Sequence, residues 1–541
     1  MSARTMALAA LLLLVGAGAA RAEDDVVAGR PAQAEASAAQ AWSALQLGKG
    51  DDPRAQVREL VRAMTAAELG ASADLALVHL GDPEKISNAA VRTAAREELI
   101  SRAQAGQPLA NELLLKVKLD EAEVRAHPAL ALKLGRARLE KALLERPLPE
   151  GGSFEAGDAP QGGTPPPQPA ALEGAAKTAL SQQSADDLAE ARRILAAVPP
   201  GSELGTEARE VSGLAALAAG DEIAAEKEFG GLAGTEGRGQ RALLQLARLA
   251  YARGDDRRAE LLYARVGRGS SEWLDALFEA SWSHFRKGED ERVLGNLLTL
   301  QAPFFKGREF PEGYVLQALV LYENCRYADA RKALARLDAA FKPRHEALAA
   351  ALGAVEKLTQ PFDALAPDRG PAAAGLGAAA RAELDRAAAS PDLQASRAAV
   401  IRLGSELDSF DRRGDAIRAS PLARALLPQV RTLRLELLTN AGSRLRARLA
   451  ADRAELRELL GQSLRLSYEI AGREREQASS SATRARAKAA APPEIDDDEV
   501  MWPFQGEYWR DELGSYRFTL GTRCVPAARF KARTSSAALE R

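Results

Sequence analysis

The sequence is poor in the residue types that most often carry out chemistry. Among 541 residues it has only two cysteines and four histidines, and its aromatic content is 5%. Two cysteines cannot build a disulfide framework for a chain this long, and four scattered histidines offer no ligand set with metal-site spacing. The formal net charge is −2, so there is no overall basic field of the kind that holds nucleic acid or an anionic membrane.

Motifs for catalysis and cofactor binding are missing as well. The sequence has no phosphate loop ending in Lys and Ser or Thr, no paired-histidine zinc helix and no Gly-x-Ser-x-Gly elbow. Two Gly-x-Gly-x-x-Ala matches begin at Gly237 and Gly375, but they lie among helices or linkers, whereas a dinucleotide site requires a preceding strand. We therefore expect a protein that is not an enzyme and has neither a cofactor nor a bound metal.

The first 22 residues have the features of an export signal. Arg4 supplies a positive start, residues 6–18 form a short apolar run, and Ala20-Arg21-Ala22 matches a small-x-small cleavage site. The apolar run is shorter than the roughly 20 residues of a spanning helix. We predict a signal peptide over 1–22 and an exported, periplasmic chain without a membrane span. The alternative is an uncleaved anchor or a chance apolar start.

An exported chain meets oxidising conditions, so Cys325 and Cys524 are a possible disulfide. Nothing in the sequence shows that the two residues meet. One buried thiol and one loosely placed thiol is an equally valid interpretation, and the pairing stays open on the sequence alone.

Composition divides the rest of the chain into segments. Residues 23–148 are rich in Ala, Leu, Arg and Glu, which favours helices. The Pro- and Gly-rich stretch 149–171 cannot build a core and is predicted to be a linker. After a periodic region over 172–343, residues 344–477 are predicted to be helical with one long helix, and 478–500 to be a flexible charged tether.

The region 172–343 is periodic. Gly220-Asp221, Gly254-Asp255 and Gly288-Glu289 each follow an apolar helical run, 34 residues apart, with a small residue seven positions before each glycine. Small side chains let two helix backbones approach, and glycine tolerates the positive φ at which the first helix ends. The acidic residue favours the start of a second helix. Each repeat is therefore predicted to be helix, tight turn, helix.

The stretch RGDD at 253–256 is thus interpreted as a turn, since it lacks the dense oxygen-ligand spacing of a calcium loop. One period before the first glycine falls on Asp186, which is predicted to mark a further, weaker unit. One period after the last glycine, and three residues further on, Cys325 takes the glycine's place. The three additional residues that cause this displacement lie near an aromatic loop over 302–313.

These residues resemble the tetratricopeptide repeat family over about a third of the chain. The period and the small-residue phase match. The family's large aromatic before the turn is replaced by Ala216, Ala250, His284 and Leu321, and its closing proline is absent apart from Pro343, one place late. The resemblance implies an all-α fold, a TPR-like solenoid of helical hairpins with flanking helical regions and a small aromatic C-terminal element.

In this family ligands usually lie on the concave side, which the first helix of each hairpin lines. Mapped by phase from each turn, the predicted partner-binding residues are Arg241, Arg248, Tyr251, Asp275, Phe278, Trp282, Phe285, Arg286 and Tyr322. Aromatic side chains flanked by arginine suit the anchors of a protein–protein contact. The same aromatic spacing is also typical of hairpin core, and both interpretations stay open.

The aromatic-rich C-terminal element, 501–541, is a separate feature. Six of its aromatic residues lie between Met501 and Cys524, and the alternation of Tyr516, Phe518 and Leu520 predicts one short strand. So much aromatic area must dock somewhere. We predict that it either caps the protein's own helices, which we favour, or binds a partner.

Taken together, the sequence predicts an exported, non-enzymatic scaffold that binds a partner protein or peptide in a cell-envelope complex. The resemblance is to envelope tetratricopeptide proteins of outer-membrane assembly, secretion or motility machinery, and it does not choose among them. The alternatives are a cell-wall remodelling hydrolase with an attached repeat domain and a periplasmic holdase chaperone.

Overall fold

The computed structural model describes residues 33–105, 107–114, 127–144, 181–202, 204–358, 362–363, 375–412, 420–479 and 499–524. Within these residues the regular secondary structure is entirely helical, so the prediction of an all-α fold is confirmed. No helix among them is both long and apolar enough to cross a membrane. The predicted signal peptide, the linker 149–171, residues 480–498 of the tether and residues 525–541 lie outside the described ranges.

In chain order the helices are α1 (33–46), α2 (Pro53–Ala66), α3 (Gly70–Gly81), α4 (Ala89–Gln104), α5 (Pro108–Leu114), α6 (Pro128–Leu144), α7 (Gln182–Leu195), α8 (Gly205–Ala218), α9 (Glu222–Gly230), α10 (Gly239–Ala252), α11 (Asp256–Tyr263), α12 (Trp273–Lys287), α13 (Asp290–Leu300), α14 (Pro311–Glu323), α15 (Tyr327–Glu356), α16 (Ala378–Ala388), α17 (Pro391–Arg412) and α18 (Pro421–Ser479). A single 3₁₀ turn, Pro303–Phe305, lies in the aromatic loop before α14.

The chain divides into two compact units, each assembled from separated stretches. Unit 1 takes its described residues from Met1–Ala137, Val355–Ala374 and Arg386–Arg446, and unit 2 takes its own from Arg138–Ala354, Gly375–Asp385 and Ala447–Arg541. The predicted region 344–477 is therefore shared between the units. Pro343 lies inside α15, so this helix continues across the predicted boundary at 343.

In unit 1, a carboxylate that is distant in sequence caps a helix. The N-terminus of α3 has no side-chain cap of its own. Glu406 of α17 accepts hydrogen bonds from the backbone N–H groups of Ala71 and Ser72, at 2.6 and 2.8 Å, and from the Ser72 hydroxyl. These bonds satisfy donors that a helix N-terminus otherwise leaves open, and they fix α17 on α3.

In unit 2, the periodic glycines form the turns that the sequence predicts. Gly220, Gly254 and Gly288 have φ values of 78°, 80° and 80°, and Cys325, in the glycine's place, has 56°. Asp255 caps α11, since its carboxylate accepts the Arg258 N–H at 3.0 Å. The predicted turn at Asp186 is wrong: this residue lies inside α7, which begins after the cap of Ser181.

Helices α7 to α14 pack mainly on their neighbours in sequence. The small residues seven positions before each turn are buried where helices meet. A β-carbon on Gly213 would lie 2.8 Å from the ring of Phe229 in the following helix. Ala247 and Ser281, the equivalent residues of the next two hairpins, are fully buried.

The second half of α18 packs along α15. Ser463 donates to Asp338 at 3.1 Å, and farther along, Glu474 pairs with Arg331. Residue numbers that rise along one helix fall along the other, so the two run antiparallel. Leu466 and Ile470 of α18 belong to the same hydrophobic core as the hairpins.

The C-terminal segment, defined here as residues 499–524, lies on the hairpins of its own chain. The predicted strand is wrong, because residues 516–520 have no partner strand among the described residues. Instead the Phe518 N–H donates to the carbonyl of Glu291 in α13 at 3.0 Å. A disulfide joins Cys524 to Cys325. The segment therefore covers the protein's own helices.

Candidate interaction surface

Successive hairpins are joined by ion pairs. Arg248 of α10 forms a bidentate pair with Glu279 of α12, with N–O distances of 2.6 to 3.1 Å. Arg286 of α12 donates to Asp256 at 3.0 Å, and its guanidinium lies 4.1 Å above the ring of Tyr251. These predicted partner-binding residues therefore have partners within their own chain.

The predicted aromatic anchors lie in the interior. Tyr251, Trp282 and Phe285 are at most 3% exposed, and Phe278 is 9% exposed and packs 5.2 Å from Phe310. Trp282 and Phe285 form an edge-to-face pair at 5.9 Å. Burial of this degree supports the interpretation of these four rings as hairpin core.

The remaining predicted residues lie closer to solvent. Arg241 is exposed and pairs with Glu210 at 3.1 Å, while Asp275 pairs with Arg308 at 2.7 Å. Tyr322 is half-buried, and its hydroxyl accepts from Arg473 of α18 at 3.4 Å. Of the predicted set, Arg241 and Asp275 are the residues best placed to contact another molecule.

Arg241 lines an open cavity of about 530 Å³ between the loops that precede α10 and α12. The other lining residues are Gly237, Gln240, Gly267, Gly269, Ser270, Ser271 and Glu272. The walls carry charged side chains of both signs and the backbone of the glycines and serines between residues 267 and 271. Such a surface suits contact with a polar polypeptide better than enclosure of an apolar ligand.

Sequence reasoning missed Glu312 of α14 as an isolated carboxyl. It is half-buried, and its electrostatic neighbours are Glu455 and Glu279, without a cation from the described residues among them. Burial, and then these two acids, raise the pKa of Glu312 to about 7. The contribution of Glu455 could not be read from sequence, because α18 reaches α14 only in the folded unit.

The raised pKa makes the stability of unit 2 depend on pH. The pKa of Glu312 is higher in the folded state than in the unfolded state. Its stabilising contribution to the free energy of unfolding is therefore fully present below about pH 4.3 and is lost as pH rises through about 7. We expect Glu312→Gln to raise the free energy of unfolding at pH 8 by about 1–2 kcal/mol, a value reduced for the water that still reaches the carboxyl. Urea unfolding of the wild type and the variant at pH 5 and pH 8 measures this difference in the free energy of unfolding.

The matched control is Glu309→Gln, which removes an exposed carboxyl from the preceding loop. It should change the free energy of unfolding equally little at both pH values. If Glu312→Gln behaves like this control, Glu312 ionises normally and the isolated carboxyl has no influence on the fold.

One group of side chains has the composition of a metal site. Glu260, His284 and Glu289 place one ligand atom each within 4.8 Å of one another. His284 Nδ1 lies 2.6 Å from Glu289, and the ammonium of Lys287 lies between the carboxylates, 2.7 Å from Glu289 and in contact with Glu260. The charge that a metal would neutralise is already balanced, so this group is an ion-pair network between hairpins.

A second feature that sequence reasoning missed is the set of acidic residues two positions after each turn. Asp256 pairs with Arg286, and Asp290 accepts from Asn324 at 2.8 Å, each reaching the following hairpin. Glu222 pairs with Arg253 in the same way at 3.0 Å. The repeat carried this signal in part, since each acid lies two positions after its turn and each partner lies one or two positions before the next turn.

Comparison with known proteins adds no family to these observations. No protein-family model matches the chain, and no curated protein matches it significantly. The tetratricopeptide resemblance therefore rests on the residues of the chain alone.

Proposed function

We propose that the chain is an exported, non-enzymatic scaffold whose hairpins form a TPR-like solenoid and bind a partner protein or peptide in a cell-envelope complex. The observation that carries the proposal is the equivalence of four turns, three at the 34-residue phase and a fourth three residues later, with φ between 56° and 80°. Equivalent turns generate equivalent hairpins, and stacked hairpins offer the extended surface that such proteins use for binding.

Because the predicted aromatic residues are buried, we assign the partner contact to the polar residues of the predicted set. Exposed Arg241 and its cavity, half-buried Asp275 and half-buried Glu312 all belong to the first helices of hairpins or to the loops before them. A partner would be held by charged and polar contacts, with Glu312 available to a cationic side chain. Such contacts favour association that weakens as salt rises.

The test is crosslinking in intact cells, followed by recovery of the chain from envelope extracts. Wild type is compared with Arg241→Glu and with Arg257→Glu, a matched charge reversal at an exposed residue of α11. We expect a defined partner whose recovery falls at least about tenfold with Arg241→Glu only. Equal recovery by both variants contradicts the proposed surface, and absence of any partner contradicts the scaffold.

A further inference from the structure

The C-terminal segment contacts the hairpins in two parts that are held differently. The anchor part, residues 509–516, buries Leu513 and Tyr516 against Ala302. The Gly514 N–H donates to Thr299 Oγ1 at 2.9 Å. The backbone of Tyr516 lies so close to Gly295 that a β-carbon there would be 1.7 Å from the Tyr516 carbonyl. α13 is thus shaped to receive this part.

The terminal part, residues 517–524, has few contacts. Its side chains from Arg517 to Thr519 are exposed. Besides partial packing of Leu520 and an ion pair of Arg517 with Glu499 at 3.0 Å, it is held by three backbone hydrogen bonds. The N–H groups of Phe518 and Leu520 donate to Glu291, and that of Arg523 donates to the Asn324 carbonyl at 3.0 Å. It ends at the disulfide between Cys524 and Cys325.

These non-covalent contacts are too few to order the terminal part. Fixing the backbone of eight residues costs more free energy than three hydrogen bonds and one solvent-exposed ion pair return. The anchor part differs, because it buries two large side chains and the Tyr516 hydroxyl bonds the backbone of Trp509. The covalent link is therefore what keeps the terminal part in place.

The position of Cys325 also indicates that the disulfide keeps the terminal part in place. It is the turn residue of its hairpin, where the three preceding hairpins have glycine, and it adopts the left-handed backbone that glycine favours. A side chain in this conformation is unfavourable unless it forms a compensating interaction. The bond to Cys524 is that interaction, so the thiol at this turn serves the C-terminal segment and not the hairpin.

We propose that the Cys325–Cys524 disulfide is a redox latch, and that its reduction releases residues 517–524 from α13 while the anchor part stays docked. A thiolate of a dithiol reductant attacks one of the two sulfurs, and the other cysteine leaves as a thiolate. The second thiol of the reductant then resolves the mixed disulfide. The products are two protein thiols and an oxidised reductant, with two electrons and two protons transferred.

Hydrogen exchange of the full chain, followed by mass spectrometry with and without dithiothreitol, tests the latch. On reduction we expect amides of the terminal part to exchange at least about tenfold faster, with those of the anchor part and of α10 changed by less than about twofold. Unchanged exchange in the terminal part overturns the proposal. Accelerated exchange throughout α12 and α13 also overturns it, because the disulfide would then be a staple of the hairpins.

Two variants separate the latch from the anchor. Cys325→Gly restores the residue that the turn favours and should reproduce the reduced pattern without any reductant, leaving the hairpins protected. Leu513→Ala should accelerate exchange in the anchor part of the oxidised protein while Cys524 remains bonded. If Cys325→Gly leaves the terminal part as protected as in the oxidised wild type, the latch does not exist.

Discussion

Replacing Trp282 with alanine is expected to lower the free energy of unfolding of unit 2 by about 3–5 kcal/mol. The side chain is 3% exposed and packs edge-to-face on Phe285, so truncation removes a large buried surface and leaves a cavity. Urea unfolding monitored by circular dichroism gives the difference. Loss of partner binding in this variant would therefore report damage to the fold and not a lost contact.

Two control substitutions test whether the loss of stability comes from the buried ring. Trp282→Phe should cost well under half as much, since most of the apolar area remains and the indole N–H makes no hydrogen bond within the described residues. Trp509→Ala removes an equal side chain that is 41% exposed and should cost less than about 1 kcal/mol. If Trp282→Ala is as mild as Trp509→Ala, the ring is not part of the core.

Replacing Glu406 with alanine is expected to destabilise unit 1 by about 2–4 kcal/mol. Its carboxylate is the buried acceptor of two backbone N–H groups at the start of α3 and of the Ser72 hydroxyl, and removal leaves these donors without a partner. Burial raises the pKa of Glu406 more than these hydrogen bonds lower it, so part of the loss is offset by removing a buried charge.

Hydrogen exchange of the first turn of α3, together with urea unfolding, measures the effect. Glu406→Gln keeps one acceptor oxygen and should retain more than half of the stability that alanine loses. Ser405→Ala, one residue earlier and exposed, should change neither measurement. Protection of the Ala71 and Ser72 amides that survives Glu406→Ala would show that α3 does not depend on α17.

Local chemistry was sufficient to predict the turns. A glycine at a fixed period, followed by an acid, specifies a helix end with positive φ and a helix start with a cap, and both are properties of a few adjacent residues. Gly254 and Asp255 have these roles in the structure. Extending the period beyond the three glycines predicted the turn at Cys325 correctly, but it failed at Asp186, which lies inside α7.

The candidate site was less predictable from sequence. Periodicity places Trp282 on one face of α12, yet it cannot say whether that face meets solvent or another helix. The structure buries the ring and leaves Arg241 exposed, so the polar part of the predicted set is the part that remains open to a partner. The isolation of the Glu312 carboxyl could not be predicted, because its neighbour Glu455 comes from a helix more than a hundred residues later.

The sequence by itself determined the helical class, the hairpin period and the residue that takes the glycine's place at 325, because each depends on backbone preferences over a few neighbouring residues. Only the tertiary structure decided that Glu406 caps α3, that α18 runs along α15 and that Cys524 reaches Cys325. These contacts join residues separated by 125 to 335 positions. Their formation depends on the packing of whole helices, which no local pattern in the chain encodes.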